Sequence, residues 1–252
     1  MQANDLRPAI IIPVYDHEEA IRETVQSVLE FGYPILMVDD HSSAPCEKVL
    51  TALRDELAPQ ISLIRRPANG GKGAAVKAGL LMLAEQGYTH AIQLDADGQH
   101  DSARLPELMR AAEQHPAALI SGFPEYDASV PRARYLGRYL THIWIWINTL
   151  SLSVRDSMCG FRVYPLEPTV ELLQSEFTGN RMDFDPEIMV RWSWRGHRVI
   201  GVPVRVRYPL DGVSHFNAVQ DNVLISWMHT RLFFGMLKRL PKLILRKFYV
   251  TG

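Results

Sequence analysis

Cysteine is scarce in this chain, long apolar runs are missing, and neither sign of charge is in excess. Cys46 and Cys159 are the only cysteines in 252 residues and have neither the number for a disulfide framework nor the spacing of a zinc site. Reduced thiols in a cytoplasmic protein are therefore expected. No stretch reaches the about 20 apolar residues that span a bilayer. The nearest, Leu140–Leu152, contains Trp144 and Trp146 but is interrupted by Thr141, His142, Asn148 and Ser151. The opening residues Met1–Pro8 lack the apolar core of a signal peptide. A net charge of -1 gives no global electrostatic case for binding nucleic acid. Internal repeats and low-complexity segments are also absent. One absence is local: no acidic residue occurs from Asn222 to Gly252, where Arg231, Lys238, Arg239, Lys242, Arg246 and Lys247 all lie. Between Thr230 and Phe248 these cations alternate with Leu232, Phe233, Phe234, Met236, Leu237, Leu240, Leu243, Ile244 and Leu245. Such a segment suits the interface of a membrane bearing anionic lipid, peripheral on its cytoplasmic face. A helix packed on the core and a dimer contact are the alternatives.

What is present is ordinary globular composition, 47% hydrophobic and 22% charged, at a length that suits one large domain. Hydrophobic periodicity predicts strands at 9–14, 35–38, 61–64, 90–94 and 117–121. Helices are predicted at 17–31, 46–57, 72–86 and 103–114. This alternation implies an α/β fold with a mostly parallel central sheet flanked by helices. The second half is less regular. Helices are predicted at 132–150, 184–195 and 217–238, the last broken by Pro241, with a short strand at 161–164 and an extended segment at 197–208.

In parallel sheets ligands bind beyond the carboxyl ends of the strands, and four of these ends carry polar residues. Pro13, Tyr15 and Glu18 follow the first strand and Asp39-Asp40 the second. Asn69-Gly70-Gly71-Lys72-Gly73 follows the third and Asp95-Ala96-Asp97-Gly98-Gln99-His100 the fourth. Asp95 and Asp97 offer hard oxygen ligands suited to Mg²⁺ or Mn²⁺. The glycine-rich turn opens a helix, where backbone N–H groups can approach an anion beside the Lys72 charge. It lacks the spacing of a Walker P-loop. Asp39 and Asp40 can accept hydrogen bonds from a base or ribose, or cap the following helix. A second acidic cluster, Asp183-Phe184-Asp185-Pro186-Glu187, offers a carboxylate for a hydroxyl nucleophile. Asp185 is the first choice, because Pro186 fits the first turn of a helix. Glu187 competes, and Asp185 as a plain N-cap is the structural alternative.

Five motifs in order make the chain resemble family 2 glycosyltransferases, nearest the dolichyl-phosphate mannosyltransferase-like branch. They are Ile11-Ile-Pro-Val-Tyr-Asp-His-Glu18, Val38-Asp-Asp-His-Ser-Ser43, Asn69-Gly-Gly-Lys-Gly73, Leu94-Asp-Ala-Asp-Gly-Gln-His-Asp101 and Met158-Cys-Gly-Phe-Arg162. The resemblance implies a GT-A fold over residues 1–216, with 217–252 as a basic helical extension. It also implies a nucleotide-diphosphate sugar donor, inversion at the anomeric carbon and a divalent metal. By position, Pro13, Tyr15, Glu18 and Asp39 or Asp40 would line the nucleoside pocket, with Lys72 near ribose or phosphates. Asp95 would touch ribose or metal, Asp97 would be the main metal ligand, and Gln99 a possible third. Arg132, Arg134 or Arg138, with Arg162 and Arg207, would face the donor phosphate or the acceptor. Asp156 matches an acidic position of the branch.

Two departures bear on the acceptor. Ser121-Gly-Phe-Pro124 stands where the branch has Gly-Ser-Arg, and Gly212-Val-Ser-His215 replaces a lysine by His215, a candidate phosphate or metal contact. A lipid or lipid-linked acceptor is expected. A sugar-phosphate nucleotidyltransferase and a non-catalytic nucleotide-sugar-binding protein are the competing readings.

Overall fold

The computed structural model describes residues 6–125, 132–205, 217 and 219–249. Strands β1 (Pro8–Val14), β2 (Ile35–Asp39), β3 (Ile61–Arg65) and β4 (His90–Gln93) alternate with helices α1 (Ile21–Leu29), α2 (Ala44–Glu56) and α3 (Lys72–Glu85). Then come α4 (Leu105–Gln114), β5 (Leu119–Pro124), α5 (Arg132–Thr149), β6 (Arg162–Pro165), α6 (Leu166–Ser175), α7 (Phe184–Arg195), β7 (Val199–Val204) and α8 (Gln220–Tyr249). The seven strands form one sheet in the order β3-β2-β1-β4-β6-β5-β7. β6 runs antiparallel to both neighbours and the other pairs are parallel.

Side chains on a strand alternate between faces, so β1 serves two cores. Ala9 and Ile11 pack with Leu36, Val38 and the residues of α3, α6 and α7. Ile10, Ile12 and Val14 pack on the other face with Ile35, Met37 and residues of α1, α2 and α4. The register sets Val14 beside Asp39 and Ile11 beside Gln93. The loops after β1, β2 and β4 therefore leave the sheet at one edge.

Two features depart from the sequence expectation. α6 was not anticipated. It is a short helix whose Pro168 falls in the first turn, where a missing N–H costs nothing, and whose Leu166, Thr169 and Leu172 are buried. α8 was expected to break at Pro241 but continues through it to Tyr249. Pro241 is exposed, so water can solvate the Leu237 carbonyl that its missing N–H leaves unpaired.

α8 packs on α5 and α7. His229 of α8 is buried against Asn148, stacks on Trp144 and has its pKa lowered by burial to about 4. His90, fully buried in β4, is lowered for the same reason. The unfolded chain therefore binds protons near pH 6.5 that the folded protein refuses. Stability from these groups is complete above that pH and falls as pH drops toward 4. A thermal-melt series from about pH 7.5 to 4.5 should show this decline, with His229→Leu making it shallower; an equal slope in that variant would contradict the assignment.

Candidate active site

The loops at the carboxyl edge are held by ion pairs. The Asp39 carboxylate accepts the Ser42 N–H at 2.8 Å and pairs with Arg65, which also donates to the Ser42 carbonyl at 2.9 Å. Asp40 pairs with Arg66 and accepts the N–H groups of Gly70 at 3.1 Å and Gly71 at 2.7 Å. This changes the reading of the glycine turn: both amides are given to Asp40 and not to an outside anion. Gly71 has φ +94, and a Cβ there would meet Arg181 and the Asn180 carbonyl. Glycine is thus required by conformation and by close approach.

The turn places Lys72 at the start of α3, where its ammonium lies 2.8 Å from Asp95 Oδ2 and 2.9 Å from Asp185 Oδ2. Burial alone would lower the Lys72 pKa, but Asp185 and Asp95 outweigh it and raise it. Burial would likewise raise Asp95, but Lys72 and His100 hold it well below the usual carboxylate range. His100 Nε2 is 3.5 Å from Asp95 Oδ2, and its Nδ1 is buried without a partner. Burial opposes its protonation, yet the Cys159 sulfur and the Asp95 carboxylate raise its pKa to about 10.

Asp97 is half-buried on the next turn, and its Oδ1 accepts the Gln99 N–H at 3.1 Å. Among the described residues its other oxygen makes no hydrogen bond. The donor set is hard oxygen at an open strand end, which fits Mg²⁺ or Mn²⁺. Since Asp95 is engaged by Lys72, Asp97 is the freer ligand. Gln99 is half-buried beside it. Three metal-type side chains within 4.8 Å of one another occur elsewhere, at Asp16, Glu18 and Cys46. There Asp16 Oδ1 already accepts the Ser43 N–H at 2.7 Å, and Glu18 Oε2 is buried without a partner. Pro13 is buried at the end of β1, and Tyr15 is half-buried in the loop that follows.

The second acidic cluster separates into three roles. Asp183 occupies the N-cap of α7, the position the sequence reading allowed for Asp185; it accepts the Arg181 N–H at 3.1 Å, and burial raises its pKa. Asp185 meets Lys72, and its buried Oδ1 makes no hydrogen bond but lies 3.5 Å from the Arg162 guanidinium. Glu187 is fully buried and accepts from the Gly179 N–H at 2.8 Å, from Arg191 at 2.7 Å and from Arg231 at 3.2 Å. Its oxygens are spent on tying α7 to α8, which leaves none for an acceptor. Glu187→Gln should cost about 3 kcal/mol of unfolding free energy by urea titration, because two arginines lose their buried counter-charge. The folded fraction should keep its activity; a loss confined to activity would restore Glu187 to the chemistry.

Arg162, expected to face the donor phosphate or acceptor, lies beneath the site. It is fully buried and donates to the carbonyls of Cys159 at 2.8 Å, Ser157 at 2.7 Å and Asp185 at 3.0 Å. Its place on β6, between two strands, is what buries it. Arg132 opens α5, but its side chain, like that of Arg134, lies outside the described residues, as do Arg207 and His215. Arg138 pairs with Asp156. Sequence reasoning did not assign His100 to the site. The available signal was its place three residues after Asp97, on the same turn.

The model of glycosyl transferase family 2 matches residues 9–169. The chain is a family 2 glycosyltransferase. This glycosyltransferase is 26% identical over 201 residues to a dolichyl-phosphate beta-glucosyltransferase of Dictyostelium discoideum, covering 72% of this chain and 60% of that one. It is 28% identical over 228 residues to a polyprenol monophosphomannose synthase of Mycolicibacterium smegmatis, covering 82% and 80%. Its fold is GT-A: glucosyl-3-phosphoglycerate synthase of Mycobacterium tuberculosis with UDP superposes at a TM-score of 0.64, 14% identical, over 92% of this chain and 80% of that one. The complex of that enzyme with Mn²⁺ and UDP-glucose superposes at 0.61, 15% identical, over 94% and 79%.

Proposed function

We propose that this glycosyltransferase moves a sugar, with inversion, from a nucleotide-diphosphate donor to a lipid phosphate. The observation that carries the reading is the Lys72 ammonium held between Asp95 and Asp185, with the open carboxylate of Asp97 two residues after Asp95. Asp97, with Asp95 and Gln99 near it, would hold Mg²⁺ or Mn²⁺, which neutralises charge on a departing nucleoside diphosphate. Tyr15, Glu18 and Asp39 leave the sheet on the nucleoside side. Lys72 fixes the spacing between the donor carboxylate and Asp185. With its Oδ2 committed to Lys72, Asp185 suits orientation of the acceptor. A phosphate is already an anionic nucleophile and needs no strong base.

A lipid acceptor is supported by what the relatives named above act on and by the surface. Among the described residues, fourteen large hydrophobics are exposed. Tyr139, Leu140, Ile143, Trp144 and Ile147 lie on α5, and Val223, Trp227, Phe234, Leu237, Ile244 and Leu245 on α8. Trp144 meets Phe233, which meets Phe234, so the two sets are continuous. No helix among the described residues is long and apolar enough to cross a membrane. The extension 217–252 would lie on an anionic bilayer surface on its cytoplasmic side, with the exposed Lys238 and Lys242 toward the headgroups. Two copies meeting there would bring the same lysines together.

Thermal-shift screening of nucleotide sugars with Mn²⁺ tests the donor half: a midpoint rise with UDP- or GDP-sugars supports it. Pyrophosphate release from a nucleoside triphosphate and a sugar phosphate would favour a nucleotidyltransferase. Donor binding without turnover on any acceptor or water would favour a binding protein.

A further inference from the structure

We infer that Asp156 is a positioning residue for the donor carboxylate Asp95, and that it braces Asp95 against helix α5. Asp156 lies in the segment between α5 and β6, and its side chain is 2% exposed. Its carboxylate is saturated. Oδ2 takes Arg138 Nε at 2.6 Å and lies 3.3 Å from His142 Nε2. Oδ1 takes Arg138 Nη2 at 2.8 Å, the Met158 N–H at 2.9 Å and the Cys159 N–H at 2.7 Å. A carboxylate so engaged cannot also serve a substrate; it can fix whatever is attached to its donors.

The donors belong to two bodies. Arg138 and His142 stand one helical turn apart on α5, the helix carrying the exposed Tyr139, Leu140 and Ile143. Met158 and Cys159 begin the turn that delivers Gly160. There is no room for a Cβ at Gly160, because it would overlap both oxygens of Asp95. The same turn places the Cys159 sulfur against His100, which holds Asp95 from its other side and packs on Phe161. Arg162 then clamps the turn through the Ser157 and Cys159 carbonyls and links it to the Asp185 carbonyl. One buried carboxylate thereby connects the exposed helix to the wall of the donor site.

The inference rests on the reading of Asp95 as a donor-side group. Its test is calorimetric titration of the full chain with UDP and with GDP, each with Mn²⁺, beside thermal melts of the same samples. Asp156→Ala should raise the Kd of whichever nucleotide binds by about tenfold, whereas Asp156→Asn, which can still accept the two backbone amides, should recover most of that loss. Adding Arg138→Met to Asp156→Ala should cost nothing further, because the pair acts as one unit. A lowered melting point with an unchanged Kd would make Asp156 merely structural and overturn the inference, as would additive losses in the double variant. If Asp156→Ala does not fold, Arg138→Met alone decides: it should weaken nucleotide binding about threefold or more, and an unchanged Kd overturns the link. Failure of the parent chain to bind either nucleotide would refute the reading of Asp95 itself, and this inference with it.

Discussion

Asp97→Ala should lower glycosyl transfer by about a thousandfold or more, the equivalent of about 4 kcal/mol of transition-state stabilisation. The reason is local. Asp97, unlike Asp95, Asp39 and Asp40, is not committed to a cation among the described residues: Lys72 and His100 hold Asp95, Arg65 holds Asp39, and Arg66 holds Asp40. On the proposed reading, removing it deletes a metal ligand and little else, since among the described residues its one hydrogen bond is accepted from the Gln99 N–H on the same turn. The melting temperature should therefore stay within about 2 °C of the parent, as for a substitution away from the core. Activity against added Mn²⁺ distinguishes the causes. A metal-ligand role predicts a higher metal requirement in Asp97→Asn, and a folding role predicts none. Activity near the parent level in Asp97→Ala would remove Asp97 from the mechanism.

Lys72→Ala should be the most destabilising change at the site, costing about 3–5 kcal/mol by urea titration. Its ammonium lies within 2.9 Å of two carboxylates whose side chains are 18% and 6% exposed. Without it, among the described residues Asp95 keeps only His100 and Asp185 only Arg162 as a charged partner, each at 3.5 Å, so both carboxylates lose their nearest counter-charge. The sign with pH follows from Asp95. Its pKa is depressed in the folded protein, so it contributes stability above its ordinary value of 3.8 that is lost only as pH falls through the depressed one. In the variant the part of that depression due to Lys72 is lost, with His100 keeping the rest, and one of the pair takes a proton more readily. The deficit relative to the parent should therefore narrow as pH is lowered toward about 4. A constant deficit, or one below about 1 kcal/mol, would mean that Lys72 is a solvated lysine on a glycine-rich turn.

The fold was legible because both helix and strand periods are clean in the first half. Val14, Asp39 and Gln93 fall at the ends of apolar runs, and their register in the sheet follows from those runs. The polar strand ends fall on one edge of the sheet for the same reason. What the sequence concealed is which charges satisfy one another. Arg162 and Lys72 are both single cations in glycine-containing motifs, yet one is spent mainly on carbonyls beneath the site and only flanks Asp185, while the other bridges two acids. Asp183, Asp185 and Glu187 are alternating acids in one short segment. Only packing shows that the first stands at the N-cap position of α7 and accepts the Arg181 N–H, the second meets Lys72 and the third binds Arg191 and Arg231. Pairings that span 23 residues, as for Lys72 and Asp95, or 44, as for Glu187 and Arg231, leave no local pattern. The continuity of α8 through Pro241 was hidden too, since tolerance of a proline depends on which side of the helix meets water.

The most direct test of metal-assisted glycosyl transfer at this strand end is a single assay. Labelled sugar from UDP- and GDP-linked donors is offered to a polyprenyl phosphate with Mn²⁺, and product is followed with and without chelator. Labelled lipid phosphate should form with at least one donor, disappear on chelation and return when Mn²⁺ is restored. Turnover undiminished in chelator, or label released only to water, would contradict the account.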